Sequence, residues 1–391
     1  MYYLRSLYHN PNRMGRPMCR PIYPLIILTI ILTLLLTPIT TLAESNLAPE
    51  YDLDYFIQVK ELIENYYLTK PSEKELMEGA MKGLFYNLDE NSSYYTKEEF
   101  QQLMENTSGK FVGVGIYIKE QKGNIIITEP IKGGPAYKAG IKPKDQILAI
   151  DDKNIKGLPI DEVTALIKGK ANTKVKLKVK RGQKPISFNI TRQEIKLNPI
   201  EYQILKDNIG YIRISQFNQY AYENMVEALK AMDEKNISNI IIDLRDNPGG
   251  LLGQVIDISK LLIPEGPIVH IQYNGKIQES YYSTLKKAKY NLVLLVNQYS
   301  ASASEILAAA VKDRNIGKIV GVPTYGKGTV QQIVPLPNGD GMKLTIAQYL
   351  SPNKESIHNK GIIPDIIVQN QNTTTDRQLN VGVDLCVNPN P

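Results

Sequence analysis

The chain has 391 residues, 42% hydrophobic and 22% charged, an ordinary globular composition with room for two or three domains. Its formal charge is +6, but residues 1–43 hold four arginines and no acid, so they account for +4 and leave +2 for the rest. That balance excludes the basic surface of a nucleic-acid binder. No His/Cys/Asp/Glu cluster has the spacing of a metal site, and no cofactor is expected.

The chain opens on Arg5, Arg13, Arg16 and Arg20, followed by an apolar run over residues 25–36 and a small-residue cleavage site, Thr41-Leu42-Ala43, before Glu44. This is the layout of a secretory signal peptide over residues 1–43. An N-terminal anchor is the alternative, since the run reaches the low end of spanning length; it would associate the protein with a membrane. Under either reading the remainder is exported and extracytoplasmic. Cys19 precedes the apolar run, so cleavage would leave Cys386 alone and no internal disulfide could form.

Residues 44–108 read as helical. Apolar residues recur at three- and four-residue spacing over 54–63 and again over 73–84. Thr96-Lys97-Glu98-Glu99 is a capping box opening a third helix, with Phe100 and Leu103 as apolar positions. Amphipathic helices this short need a partner surface, either the core or a second copy of the chain.

From 109 to 193 the texture changes to short β-type runs and glycine turns: "FVGVGIYI" from Phe111, "NIIIT" from Asn124, "GGPAYKAG" from Gly133, "DQILAI" from Asp145 and "KVKLKV" from Lys174, with a helix near 161–168. These residues resemble a circularly permuted PDZ domain of the kind found in bacterial proteases, most specifically over 134–155. A PDZ domain takes a peptide as an added strand and captures its terminal carboxylate on the amides of a glycine-containing loop. The resemblance implies that this loop is Gly113-Val114-Gly115-Ile116. Lys168 stands where such proteases usually carry arginine; it keeps the charge and loses the planar fork.

Residues 194–369 alternate strand, glycine turn and helix, which argues for a layered α/β core. One strand ends in "DLRDNPGG" (Asp243 to Gly250); another leads into "NQYSASASEI", with Ser300, Ser302 and Ser304 at alternate positions before a helix. A serine hydroxyl needs a base, and the histidines are few: His9 in the leader, and His270 and His358 outside any motif. A lysine held neutral by burial is the other option. Lys327 lies between two glycines in "PTYGKGTVQQ", with Gln331 four residues on.

The ordered set "LDENSSYYTKEEF", "DLRDNPGG", "SASASEI", "GKGTVQ" and "GIIPD" resembles the carboxy-terminal processing peptidases, or tail-specific proteases, from about residue 50 to 368. That resemblance implies a crotonase-like peptidase core in a multidomain α+β and α/β chain, with Ser302 as nucleophile, Lys327 as general base and Gln331 positioning the lysine. The oxyanion donors would be the N–H groups of Gly250 and Ala303. It further implies protein or peptide substrates with exposed apolar C-termini and a homodimer. The competing readings are a catalytically silent peptide-binding scaffold and an acyl-transfer or hydratase enzyme on a related core. The tail, 370–391, is polar with an apolar patch at 379–385, which would dock on the core or on a partner chain.

Overall fold

The computed structural model describes residues 51–370 and 375–388; the expected signal peptide or anchor lies outside the described residues. Among the described residues, no helix is long and apolar enough to cross a membrane. The chain divides into two units, residues 1–73 and 74–391. In the first, helix α1 (Leu53–Tyr66) begins at Asp52, whose side chain accepts from the Tyr55 N–H at 2.8 Å, the usual N-cap bond. It has no buried residue, and Leu53, Phe56, Leu62 and Tyr66 are exposed.

Helix α2 (Glu73–Gly83) begins at the last residue of the first unit, and strand β1 (Ser93–Tyr95) and α3 (Lys97–Ser108) follow in the second. Both bonds of the Thr96–Glu99 capping box are present. Strand β1 departs from the helical expectation for 44–108. Its aromatic, turn-flanked segment is better suited to a sheet edge than to a helix.

A β-domain follows: β2 (Lys110–Gly113), β3 (Ile116–Gln121), β4 (Asn124–Pro130), α4 (Pro135–Lys138), β5 (Gln146–Ile150), β6 (Lys153–Asn154), α5 (Ile160–Ile167), β7 (Lys174–Arg181), β8 (Lys184–Thr191) and β9 (Gln193–Lys196). Its main sheet runs β3-β4-β5-β7-β8, with β6 beside β5, while β2 and β9 pair where the chain enters and leaves. Period-two patterning builds the core: Val175, Leu177 and Val179 of β7 face inward, onto Val163 and Ile167 of α5, and the intervening lysines face out.

The larger domain comprises β10 (Ile200–Ile204), β11 (Ile209–Ile214), α6 (Ala221–Glu234), β12 (Asn239–Asp243), α7 (Leu252–Leu262), β13 (Gly266–Tyr273), β14 (Lys276–Ser283), β15 (Asn291–Val296), α8 (Ala303–Asp313), β16 (Gly317–Gly321), β17 (Thr329–Pro335), β18 (Gly341–Leu350), β19 (Ile366–Ile367) and α9 (Arg377–Val387). One sheet runs β10-β11-β12-β15-β16-β19 and is parallel from β11 onward. The other runs β1-β18-β13-β14, with β17 also on β18. Helix α6 packs on β10 and β11 and on α7, α7 packs on α8 and on β14, and α8 lies against both β16 and β13. Alternate residues of the parallel strands serve two cores: Ile240, Ile242, Leu292 and Leu294 pack on these helices, whereas Ile241, Val293 and Leu295 pack on Cys386 and Leu379 of α9. The apolar patch of the tail therefore docks back on the core.

Candidate active site

The turn from β15 to α8 sorts the three serines. The Ser300 hydroxyl donates to the Leu244 carbonyl at 2.8 Å and accepts from the Asn297 N–H at 2.9 Å. The Ser304 hydroxyl donates to the Asn247 carbonyl at 3.0 Å. Both side chains are buried and tie this turn to the Leu244–Asn247 segment. Ser302 adopts φ 54° and ψ −115°, a conformation rare for a residue with a Cβ and concentrated at functional sites. It lines an open cleft of about 420 Å³.

Opposite the serine runs Pro248-Gly249-Gly250. A Cβ on Gly249 would lie 2.8 Å from the Ser302 Cβ, and one on Gly250 would lie 2.4 Å from the Phe217 carbonyl oxygen, so both positions demand glycine. Phe217 bridges to this segment through the Gly249 carbonyl and the Leu251 N–H. In such a bridge the middle residue's own N–H points the other way, here toward the cleft that Gly250 lines. Ala303 also lines it, at the first position of α8. There an N–H has no intrahelical partner and carries the positive end of the helix dipole.

Lys327 enters the same cleft from the loop before β17. A Cβ on Gly328 would meet the His358 backbone N at 2.5 Å, so glycine lets this loop lie close against the His358 segment. Burial pushes the Lys327 ammonium below its ordinary value and the nearby positive charge of Lys343 lowers it further, against opposing pulls from Asp89, Glu90 and Glu305. The cation is thus moved toward the neutral amine a base requires.

A buried carboxylate joins the two sides. Glu305, 0% exposed, accepts from the Ser302 N–H at 2.8 Å and the Lys327 N–H at 2.9 Å on one oxygen. Its other oxygen accepts from the Gly326 N–H at 2.7 Å and the Thr324 hydroxyl at 2.6 Å. One side chain therefore fixes the backbones of both the serine and the lysine. Tyr349, also buried, donates its phenol to the Lys327 carbonyl and lies within hydrogen-bonding reach of the Ser302 side chain. Burial raises its pKa, so it stays a neutral phenol.

Ser302, Ala303, Gly250, Lys327 and Gln331 therefore line one cleft, whose apolar wall comes from Leu103, Leu252, Ile306, Val330 and Ile333. Neither His270 nor His358 lines it. The His270 ring is engaged by the Ser280 hydroxyl and the Pro352 carbonyl. The structure also brings in residues that sequence reasoning passed over: Glu305, Tyr349, Thr345 and Lys343. Only Glu305 had a local signal, since Ser302-x-x-Glu305 is itself a capping-box pattern.

Gly113, Val114, Gly115 and Ile116 lie apart from these residues, at the junction of β2 and β3. Gly115 has φ 75° and the Val114 side chain belongs to the β-domain core. Strand β3, which starts at Ile116, stands at the sheet edge with β4 as its neighbour. At the end of α5, the Lys168 ammonium pairs with the Glu105 carboxylate of α3 at 2.6 Å and sits over the Phe111 ring. The same helix α3 supplies Leu103, Asn106 and Thr107 to the cleft.

Comparison with known proteins agrees with this architecture. Residues 208–368 match the model of peptidase family S41, and residues 126–181 match a PDZ domain. The chain is 38% identical to the carboxy-terminal processing protease CtpA of Bacillus subtilis (strain 168), over 78% of this chain and 66% of the relative. It is 36% identical to CtpB of the same organism, over 85% of this chain and 70% of the relative. A solved S41-type structure from Bacteroides fragilis NCTC 9343 superposes with a TM-score of 0.51 at 16% identity, covering 88% of this chain and all of that one, a likeness of fold. The chain belongs to peptidase family S41, among the carboxy-terminal processing proteases with a PDZ domain.

Proposed function

We propose that this chain is an exported serine endopeptidase that engages proteins by their C-terminal tails and hydrolyses them through a Ser302–Lys327 dyad. The observation that carries the reading is the meeting, in one cleft, of a serine in a strained turn and a lysine lowered by burial. Neutral Lys327 takes the Ser302 Oγ proton as Oγ attacks the scissile carbonyl carbon. The developing oxyanion is received by the N–H groups of Gly250 and Ala303, donors of a type worth about 3 to 4 kcal/mol to the transition state. Collapse expels the amine, which takes the proton back from Lys327 and leaves an acyl-enzyme. Lys327 then activates water to release the acid.

The edge strand β3 supports tail binding, because it can accept a peptide as an added strand ending at Gly113–Ile116. The Lys168–Glu105 pair supports a route from the PDZ domain to the cleft wall through α3. The wholly unburied helix α1 supports a homodimer, to be read by light scattering. Export rests on residues 1–43.

The test is cleavage of casein and of a peptide with a free apolar C-terminus by wild type, Ser302→Ala and Lys327→Ala. Both variants are expected to fall by about a thousandfold or more. Equal cleavage by all three would overturn the dyad, and an inert wild type would favour the peptide-binding scaffold.

A further inference from the structure

Gln331 faces Thr345 across the pairing of β17 and β18, immediately after a register shift between Val330 and Gln331. Such bulges re-aim a side chain and are common beside active sites. Here the bulge delivers the Gln331 amide to two hydroxyls: its Nε2 donates to Thr329 Oγ1 at 2.9 Å and to Thr345 Oγ1 at 3.1 Å. The Thr345 hydroxyl in turn donates to Asp89 Oδ1 at 2.9 Å.

The polarity of this chain is set from its far end. A carboxylate can only accept, and a hydroxyl has one proton. With that proton committed to Asp89, Thr345 has only lone pairs left for Gln331, so it takes the NH₂ end of the amide. Both amide hydrogens are then used on the two threonines, and Oε1 is left for the cleft that Lys327 also lines. Asp89 reaches solvent, but it is fixed in place: Oδ1 also accepts from the Asn91 N–H at 2.8 Å and Oδ2 from the Ser92 hydroxyl at 3.0 Å. Ser92 in turn accepts from the Thr345 N–H at 3.0 Å.

We propose that Thr345 is a positioning residue, oriented by Asp89, that holds the Gln331 amide with its oxygen toward Lys327. This rests on the reading of Lys327 as the base. An amide oxygen accepts from the lysine and leaves its lone pair to be turned toward Ser302. The flipped amide would instead offer an N–H to that lone pair and occupy the group that must take the proton. The charged and polar groups around the amine are Asp89 and Glu90 before β1, Glu305 on α8, and Lys343 and the Tyr349 phenol on β18. None of them except Asp89 is altered by the substitutions below.

The test compares casein cleavage by full-length wild type, Thr345→Ser, Thr345→Val, Asp89→Ala and the double variant from about pH 6 to about pH 10. Lys327→Ala is the baseline, and thermal unfolding is followed for each protein. Thr345→Ser keeps the wild-type rate to within about twofold. Thr345→Val loses about tenfold at the plateau, and the limb on which the rate rises with pH moves to lower pH because the ammonium has lost an acceptor. Asp89→Ala loses about threefold, and the double variant is no slower than Thr345→Val, because both changes act through one amide.

Wild-type rates in Thr345→Val, equal losses in Thr345→Ser and Thr345→Val, or additive losses in the double variant would overturn the proposal. If Thr345→Val does not fold, an Asp89→Ala protein with the wild-type rate and pH profile overturns it. Failure of the underlying reading is distinguishable, since Lys327→Ala would then cleave as fast as wild type.

Discussion

The PDZ domain and the peptidase core each hold a carboxylate that is wholly buried, Asp145 and Glu305, and these two are treated in opposite ways. Asp145 and Glu305 are both 0% exposed. In the PDZ domain, burial works against the Asp145 charge, but the Arg181 fork, with two bonds of 2.7 Å, and the Lys142 N–H outweigh it and hold the carboxyl below its ordinary range. In the core, burial prevails: the three N–H groups and one hydroxyl around Glu305 are neutral, and its carboxyl is pushed up. The difference follows from what stands nearby. The Asp145 oxygens meet a guanidinium, whereas those of Glu305 meet only backbone amides and a hydroxyl. The charge of Glu305 pulls Lys327 toward its ammonium form, and the burial of Lys327 outweighs that pull. One carboxylate staples a domain, whereas the other aligns the backbones of Ser302 and Lys327.

The largest effect that sharpens this contrast is expected from Arg181→Met. It strands a buried charge, which typically costs 3–5 kcal/mol; Arg181 is about one-third exposed, so roughly 3 kcal/mol is expected. Hydrogen exchange should show the PDZ domain opening while the core stays protected, and Asp145→Leu in the same protein should restore it. The pH dependence has opposite signs in the two domains. The lowered Asp145 contributes stability above the ordinary carboxylate pKa that is lost as pH falls through its lower folded value, below about pH 4. The raised Glu305 binds its proton more tightly in the folded state, so its contribution improves as pH falls toward that range. Acid unfolding followed domain by domain breaks the comparison if both move together.

Next in size is Glu305→Gln, which turns an N–H₂ toward two donors and should lower kcat/KM by about a hundredfold through misplacement of Ser302 and Lys327. Substrate binding to the PDZ domain should be unchanged, as a labelled C-terminal peptide would report. The smallest effect is a gain. The unfolded chain binds more protons than the folded one wherever the Lys327 pKa is lowered, so this lysine weakens the fold at neutral pH and ceases to do so as pH rises. Lys327→Met should therefore raise the melting temperature by about 2 °C while removing cleavage. A lower melting temperature would show that Lys327 supports the fold through contacts other than its charge.

Much of this was legible locally. Strand β15, the turn and helix α8 follow from one apolar run, three serines and a helix-forming stretch, and the Thr96 box marked the start of α3 to the residue. The alternating serines looked interchangeable because their separate partners, the Leu244 and Asn247 carbonyls, lie some fifty residues away. Glu305 was hidden for a different reason: its pattern reads as an ordinary helix start, and its other partners sit in the Thr324–Lys327 loop. Strand β1 could not be told from a helix end, because it exists only by pairing with β18, some 250 residues later in the chain. The role of Thr345 depends on a bulge and a register, neither of which leaves a mark on a single sequence.

The positive φ of Ser302 has a consequence for any search for hardier forms of this protein. The strain at such a position is of order 1–3 kcal/mol. Alanine keeps the Cβ and hence the strain, whereas glycine relieves it. Ser302→Gly should therefore melt at a higher temperature than Ser302→Ala, and on the proposed mechanism neither should cleave. Selection for heat resistance alone would drift toward silencing the enzyme, and screens for robust variants need to score turnover in the same round.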